Sequence, residues 1–258
     1  MIDGHEQIGN GVLPEIGGLS TYSLLVGLGL LAGVLYIVWR NRQAGQAGPD
    51  GTRRTSQTLI IVAAALIGGT IGAKVPVLLQ SPRLETLLFG KSVVGGLLGG
   101  TLSVFLAKRL GHIRLRLGNT IAPAAALGLA IGRLGCFCNG CCYGVPVSWG
   151  VDFGDGIRRL PTQLMEAGFQ FTAFLILHVL HDRIKTPGIL FKLYVIAYFA
   201  FRFGLEFVRV NPVFWLGLTI YQLLCLAGII WMGLMLTLAG RRRRNKQPAD
   251  NATDAHTR

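Results

Sequence analysis

The chain has 258 residues, of which 51% are hydrophobic and only 14% are charged. Because soluble domains carry roughly 25% charged residues, this composition excludes an ordinary soluble domain. The formal net charge of +13 would suggest a nucleic-acid partner in a soluble protein. Here, however, most basic residues lie in short loops beside long apolar segments, which is the topology signal of a membrane protein.

Seven apolar segments predict seven transmembrane helices. Several reach the ~20 residues needed to cross a hydrocarbon core, and they are too evenly apolar for the strands of a membrane barrel. We therefore predict an all-α integral membrane protein in which residues 1–240 form a single transmembrane helical domain. In chain order, the helices are predicted at residues 20–39, 57–79, 86–106, 119–138, 163–181, 188–208 and 214–238.

The basic residues outside these helices predict their orientation. Sixteen lie in the C-terminal tail and in the loops after the first, third and fifth helices, and only four lie on the other side. The positive-inside rule then predicts a periplasmic N-terminus and a cytoplasmic C-terminus. Residues 241–258 are predicted to be a basic, disordered cytoplasmic tail. A segment near residues 145–161 is predicted to form a small periplasmic cap.

Five basic residues lie within the predicted helices, and Lys192 is near a cytoplasmic helix end. The other four are predicted in the outer half of the bilayer: Lys74, Lys91, Arg133 and Arg202. A charge at the centre of a membrane helix costs roughly 2.5–3.5 kcal/mol on insertion scales. One interpretation is structural: Arg202 pairs with Glu206, one helical turn away, and a second buried ion pair joins two helices. The other is functional: the surplus positive charge binds an anion such as a lipid headgroup phosphate, which arginine binds in bidentate fashion.

Three short motifs stand out along the chain. Gly95 to Gly100 reads GGLLGG and follows Lys91; alone, it is typical of a helix packing face. Gly132 to Gly144 reads GRLGCFCNGCCYG, where an apolar helix gives way to polar, glycine-rich backbone at membrane depth. Such backbone is tolerated only where it is buried in protein or lines a wet cavity. The third motif, Arg202 to Arg209, reads RFGLEFVR.

Taken together, these motifs resemble the bacterial prolipoprotein diacylglyceryl transferase family, and the resemblance covers nearly all of the chain. It rests on the order and spacing of several elements rather than on any single one. These elements are Tyr22, Gly72-Ala73-Lys74, the GGLLGG segment, Gly-Arg-x-Gly-x-Phe-x-Asn-Gly from Gly132, Pro161-Thr162-Gln163-Leu164-x-Glu166 and Arg202-x-x-x-Glu206.

The resemblance implies transfer of the diacylglyceryl group of phosphatidylglycerol, or another anionic phospholipid, to a thiol of a lipoprotein precursor or other acceptor. A thioether forms and glycerol phosphate leaves, in the bacterial cytoplasmic (inner) membrane. Arg133 and Arg202 are expected to clamp the phosphate, and Glu206 to orient Arg202 or accept a proton. No cofactor and no nucleic-acid partner are implied. The substrate-binding residues implied are Tyr22, Lys74, Lys91, Gly95, Gly96, Asn139, Gly144 and Glu166.

The sequence departs from the family pattern at several positions. The histidine usual before the GG element, a natural base near neutral pH, is Val94 here, and the histidine usual near the Pro-Thr-Gln-Leu element is Leu160. An asparagine and an acidic residue of the glycine-rich motif are replaced by Cys136 and Cys141. The remaining candidates for the general base are Glu206, Glu166 and a cysteine thiolate.

Four cysteines cluster in the glycine-rich motif: Cys136, Cys138, Cys141 and Cys142. They are interpreted either as small residues packing a tight turn, with one disulfide, or as redox or thiol-transfer groups, because Arg133 would lower the pKa of a nearby thiol. A metal site is not predicted, because adjacent cysteines suit tetrahedral coordination poorly. Two alternative functions therefore stand beside the transferase. One is a membrane thiol-redox or sulfur-handling protein, and the other is a non-catalytic protein that binds or transports anionic lipid.

Overall fold

A computed structural model of the chain describes residues 11–43, 51–80, 92–113, 115, 117–184 and 186–256. Within these residues the backbone forms seven α-helices. They are α1 (Thr21–Gln43), α2 (Gly51–Gln80), α3 (Val93–Leu110), α4 (Gly118–Cys138), α5 (Thr162–Arg183), α6 (Ile189–Leu205) and α7 (Ile220–His256).

Six of these helices are long and apolar enough to cross a membrane. The exception is α6, which has 17 residues and continues as a single 3-10 turn, Glu206–Val208. The prediction of an all-α integral membrane protein is confirmed. Which terminus faces the cytoplasm stays a prediction.

Two helices begin later than the sequence predicts. Helix α3 starts at Val93, where the Ser92 hydroxyl caps it by accepting a bond from the Gly95 amide at 3.3 Å; Lys91 lies outside the described residues. Helix α7 starts at Ile220 because two short strands precede it, β5 (Val213–Trp215) and β6 (Leu218–Thr219). Their turn needs positive φ angles, which Leu216 (51°) and Gly217 (72°) supply.

The backbone of α7 is helical to His256, whereas the sequence predicts disorder after residue 240. The segment after residue 240 begins with four arginines. Arginine is a good helix former, but the segment also contains Pro248, which costs roughly 3 kcal/mol inside a helix, so the composition does not account for the helix as far as His256. The division of the chain at residue 240 stays a prediction.

Glycines set the closest helix contacts. Helix α2 packs along α3, and a Cβ on Gly95 would lie 2.3 Å from the Gly72 carbonyl oxygen. Helix α1 packs along α4, where a Cβ on Gly29 would lie 2.5 Å from the Gly128 carbonyl oxygen. The GGLLGG segment therefore contributes a packing face, as small residues do in membrane helices.

The two ends of the helix bundle differ in character. At one end, which we call the cap end, strands β3 (Pro146–Asp152) and β4 (Arg158–Arg159) form an antiparallel hairpin between α4 and α5. At the other, which we call the basic end, Arg40 near the end of α1 pairs with Asp182 near the end of α5 at 2.6 Å. Short strands β1 (Glu15–Ile16) and β2 (Leu19–Ser20) precede α1 at the cap end.

Candidate active site

A cavity of about 1540 Å³ lies between the α1–α4 pair and the α2–α3 pair. This volume exceeds the roughly 300–1,000 Å³ of most small-molecule sites. Its walls are mostly apolar, with polar groups concentrated towards its ends. Tyr22, Arg133 and Asn139 lie at the cap end, and Lys108 and Lys192 lie towards the basic end. The cavity therefore has the size and polarity suited to a phospholipid with its headgroup at one end.

Glu166 forms an ion pair with the guanidinium of Arg133. Nη2 of Arg133 lies 2.7 Å from Oε1 of Glu166, which is fully buried in the first turns of α5. The Tyr198 hydroxyl of α6 donates to the same oxygen. Among the residues that the structure describes, Nε of Arg133 and Oε2 of Glu166 have no hydrogen-bond partner. Arg133, Glu166 and Tyr198 thus join three helices at the cavity wall. One nitrogen of Arg133 and one oxygen of Glu166 can still form further hydrogen bonds.

A second buried ion-pair network surrounds Glu206, at the end of α6. Nη1 of Arg202 donates to Oε2 of Glu206. The other carboxylate oxygen accepts from Asn211 at 2.6 Å and from Thr219 at 3.0 Å. Nε of Arg209 lies 3.8 Å from Oε2. Both oxygens of Glu206 are therefore engaged.

The sequence analysis does not name Arg209 as a candidate site residue, because Arg209 lies just beyond the helix predicted at 188–208. The structure buries it, and its Nη1 donates to the Cys142 carbonyl oxygen at 2.8 Å. Helical spacing does not reveal Arg209, because α6 ends at Leu205 and the backbone of Arg209 is extended.

The charge balance near the cap end reconciles the two interpretations of the membrane charges. Both structural ion pairs exist, Arg202 with Glu206 and Arg133 with Glu166. Together with Arg209, these residues comprise three buried guanidiniums and two buried carboxylates. One positive charge therefore remains in excess within this group, and it belongs to the network of Arg202, Glu206 and Arg209, none of which lines the cavity.

Arg133 lines the cavity, but Arg202 and Glu206 do not. The Arg202 guanidinium instead lies over the ring of Tyr221, 5.9 Å from the ring centroid. The structure therefore does not place both arginines on one phosphate, and a direct catalytic role for Arg202 and Glu206 stays a prediction.

The remaining predicted substrate-binding residues divide into two groups. Those that line the cavity are Tyr22, Lys74, Gly96 and Asn139. The others, Gly95, Gly144 and Glu166, are not among its lining residues. At Gly144 two segments of the chain pass close together, since a Cβ there would lie 2.6 Å from the Val208 carbonyl oxygen.

Val94, which replaces the histidine of the family pattern, is buried in the hydrophobic core. It belongs to the cluster that includes Tyr198, Phe199 and Cys225, and it does not line the cavity. Of the candidate bases, Glu206 has both oxygens engaged, while Glu166 keeps Oε2 without a partner behind Arg133.

Three of the four clustered cysteines come together in space. The Sγ atoms of Cys136, Cys141 and Cys142 all lie within 4.8 Å of one another, and all three residues line the cavity. None of the cysteines forms a disulfide. Hydrogen bonding with Cys136 and Cys142, together with burial, raises the pKa of the Cys141 thiol.

Comparison with known proteins relates most of the chain to one family. The family model for prolipoprotein diacylglyceryl transferase matches residues 12–238. A phosphatidylglycerol–prolipoprotein diacylglyceryl transferase of Dehalococcoides mccartyi is 30% identical over 249 residues, covering 90% of this chain and 92% of the relative. One of Geobacter sulfurreducens is 36% identical over 232 residues, covering 84% of each chain. One of Clostridium perfringens is 31% identical over 218 residues, covering 78% of this chain and 84% of the relative.

Proposed function

The chain belongs to the prolipoprotein diacylglyceryl transferase family, and we propose that it transfers the diacylglyceryl group of phosphatidylglycerol to the cysteine thiol of a lipoprotein precursor. We place it in the bacterial cytoplasmic membrane as a multi-pass protein with its cap end towards the periplasm. The positive-inside count supports this orientation.

The observation that carries the proposal is the position of Arg133. Its side chain lines the cap end of a lipid-sized cavity and is oriented by Glu166 at 2.7 Å. A guanidinium fixed in this way can donate two parallel hydrogen bonds to a phosphate. Because the phospholipid's acyl chains would extend along the apolar walls, its phosphate would lie beside Arg133.

The transfer makes one bond and breaks one. The acceptor sulfur attacks the diacylglyceryl carbon that carries the phosphate ester, and the carbon–oxygen bond breaks with its electrons leaving on glycerol phosphate. Negative charge thus grows on the phosphate during the reaction. A preorganised guanidinium stabilises that charge more in the transition state than in the ground state, and this is the role proposed for Arg133.

The thiol proton needs an acceptor, and Glu166 is the residue we propose. Its Oε2 has no hydrogen-bond partner among the described residues, whereas both oxygens of Glu206 accept hydrogen bonds. Glu166 also lies beside Arg133, the residue that would bind the phosphate.

Arg202, Glu206 and Arg209 are proposed to position the site rather than to touch substrate. They link the end of α6 to the Cys142 carbonyl through Arg209. This contact fixes the loop that carries Asn139, which lines the cavity.

The proposal is tested by incubating the purified protein with phosphatidylglycerol and a peptide that carries a lipoprotein signal-peptide cysteine motif. We expect a diacylglyceryl mass increment on the cysteine, and Arg133→Lys should reduce its rate by about 100-fold or more. Arg158→Lys, on the exposed face of the cap hairpin, is the matched control and should retain the rate. Full activity of Arg133→Ala would contradict the assignment, and lipid binding without a covalent product would favour a binding or transport protein.

A further inference from the structure

The convergence of Cys136, Cys141 and Cys142 is not explained by the proposed transfer. We call these three residues the thiol triad. Their Sγ atoms lie within 4.8 Å of one another. Three sulfurs bound to one ion at about 2.3 Å in a trigonal plane would be about 4 Å apart. The triad is therefore close to the geometry of a three-coordinate metal site before any ion binds.

The backbone that carries the triad is fixed by side chains from other elements. The Cys142 carbonyl accepts from Thr162 at 2.6 Å and from Arg209 at 2.8 Å. The Cys141 carbonyl accepts from Gln163 at 2.7 Å. Such outer contacts preorganise the ligands of a metal site.

The local backbone allows the adjacent residues Cys141 and Cys142 to direct their thiols to one ion. Cys142 adopts a φ of +65°, a conformation that residues with a Cβ seldom adopt. In this conformation its Sγ joins those of Cys141 and Cys136. The expectation from the sequence that no metal binds here was based on spacing alone.

We propose that the thiol triad is a site for a soft monovalent metal ion, copper(I). Thiolates select soft ions such as copper(I) and zinc, but zinc takes four ligands, the fourth being a protein side chain in structural sites and a water or substrate in catalytic ones. Among the described residues, no fourth cysteine, histidine or carboxylate joins the cluster. Copper(I) is satisfied by three thiolates, so the number of ligands favours copper.

The charges around the triad also suit this ion. Binding releases three protons, one from each thiol, and leaves a complex of one copper(I) and three thiolates with a net charge of −2. Nη1 of Arg133 lies 3.8 Å from the Cys136 Sγ and would offset part of that charge. No oxidation or reduction is involved. An ion could reach the site through the cavity, which all three cysteines line.

The test loads the full-length protein in detergent with copper(I) alone, under anaerobic and reducing conditions, in competition with a chromogenic copper(I) chelator. We expect one copper per chain. Serine at any triad position should weaken binding by more than about 100-fold, which exceeds the 10- to 100-fold typical of second-shell changes. Cys138→Ser, two residues from Cys136 but outside the triad, is the matched control and should bind as the wild type does.

Equal copper binding by the triple-serine variant, or an equal loss in Cys138→Ser, would overturn the proposal. X-ray absorption of the copper-loaded wild type gives a second test that does not depend on the folding of variants. Three sulfur neighbours are expected around copper, and fewer than three would also overturn it. Neither the copper competition nor the X-ray absorption measures diacylglyceryl transfer. A negative result for the metal site can therefore be told apart from a negative result for the transferase.

Discussion

Arg133 on α4 and Glu166 on α5 form a buried ion pair, with 2.7 Å between Nη2 and Oε1. Glu166 is fully buried, while Arg133 lines the cavity. A carboxylate thus orients the guanidinium of the buried cluster that lines the cavity, where we propose that a lipid phosphate binds. The pair couples the packing of two helices to the chemistry at the cavity wall.

Replacing Glu166 by glutamine should impair both stability and transfer. The change leaves Arg133 with an uncompensated buried charge, and breaking a buried pair in this way costs roughly 3–5 kcal/mol. Loss of both the orienting charge and the proposed proton acceptor should also lower kcat by about 100-fold, measured at a temperature at which both proteins are folded. Glu15→Gln, at an exposed position of β1, is the control; a variant of Glu166 with unchanged kcat would refute both proposed roles of Glu166.

Arg209→Met should destabilise the protein although Arg209 does not line the cavity. The substitution removes the hydrogen bond from Arg209 to the Cys142 carbonyl, which keeps only its bond from Thr162. A hydrogen bond involving a charged group contributes about 1.5–3 kcal/mol, so we expect a loss of that size in the free energy of unfolding. Arg158→Met, at an exposed arginine of the cap hairpin, should change it by less than about 0.5 kcal/mol. Equal stability of both variants would count against the network.

Two neighbouring glycines should respond differently to alanine. A Cβ on Gly95 would lie 2.3 Å from the Gly72 carbonyl oxygen, whereas one on Gly96 would lie 3.4 Å from that of Gly69. Gly95→Ala should therefore force α2 and α3 apart and cost about 1–3 kcal/mol. Gly96→Ala should leave the unfolding free energy nearly unchanged. The comparison uses denaturation in the same detergent, and a reversed order would show that the helix contact is wrong.

The cap hairpin should loosen at low pH. Its turn is held by Asp155, which lies 2.7 Å from Arg159, and this contact lowers the pKa of the Asp155 carboxyl. A lowered pKa stabilises the folded hairpin at pH values above the carboxyl's ordinary range near 4. That contribution is lost as the pH falls through the lowered pKa.

The measurement for the cap hairpin is cleavage of its turn by pepsin at a series of acidic pH values. Cleavage of the wild type should approach that of Asp155→Asn only at the lowest pH. If the two proteins were cleaved alike at every pH, Asp155 would have no part in holding the turn.

Much of this arrangement could be predicted from the sequence because it depends on local patterns. Apolar segments predict helices by length alone, and the pairing of Arg202 with Glu206 follows from their spacing of four residues. The packing use of the GGLLGG segment follows from the small size of glycine. Each of these predictions needs only neighbours along the chain.

The parts that could not be predicted depend on three-dimensional contacts. Whether Arg202 faces the cavity depends on the rotation of α6, which is set by its packing against α5 and α7. Cys136 and Cys142 come together because Cys142 has a positive φ. A glycine at that position would have indicated such a backbone in the sequence, but the residue is a cysteine. Arg209 lies beyond the end of α6, and only the return of the chain past Gly144 buries it.

The central claim is tested most directly by following both products of one reaction. The purified protein is given phosphatidylglycerol with a labelled headgroup and acyl chains of defined mass, together with the cysteine-containing precursor peptide. We predict one diacylglyceryl adduct on the peptide cysteine for each labelled glycerol phosphate released. No adduct and no release, under conditions in which a transferase of the same family modifies the same peptide, would contradict the account.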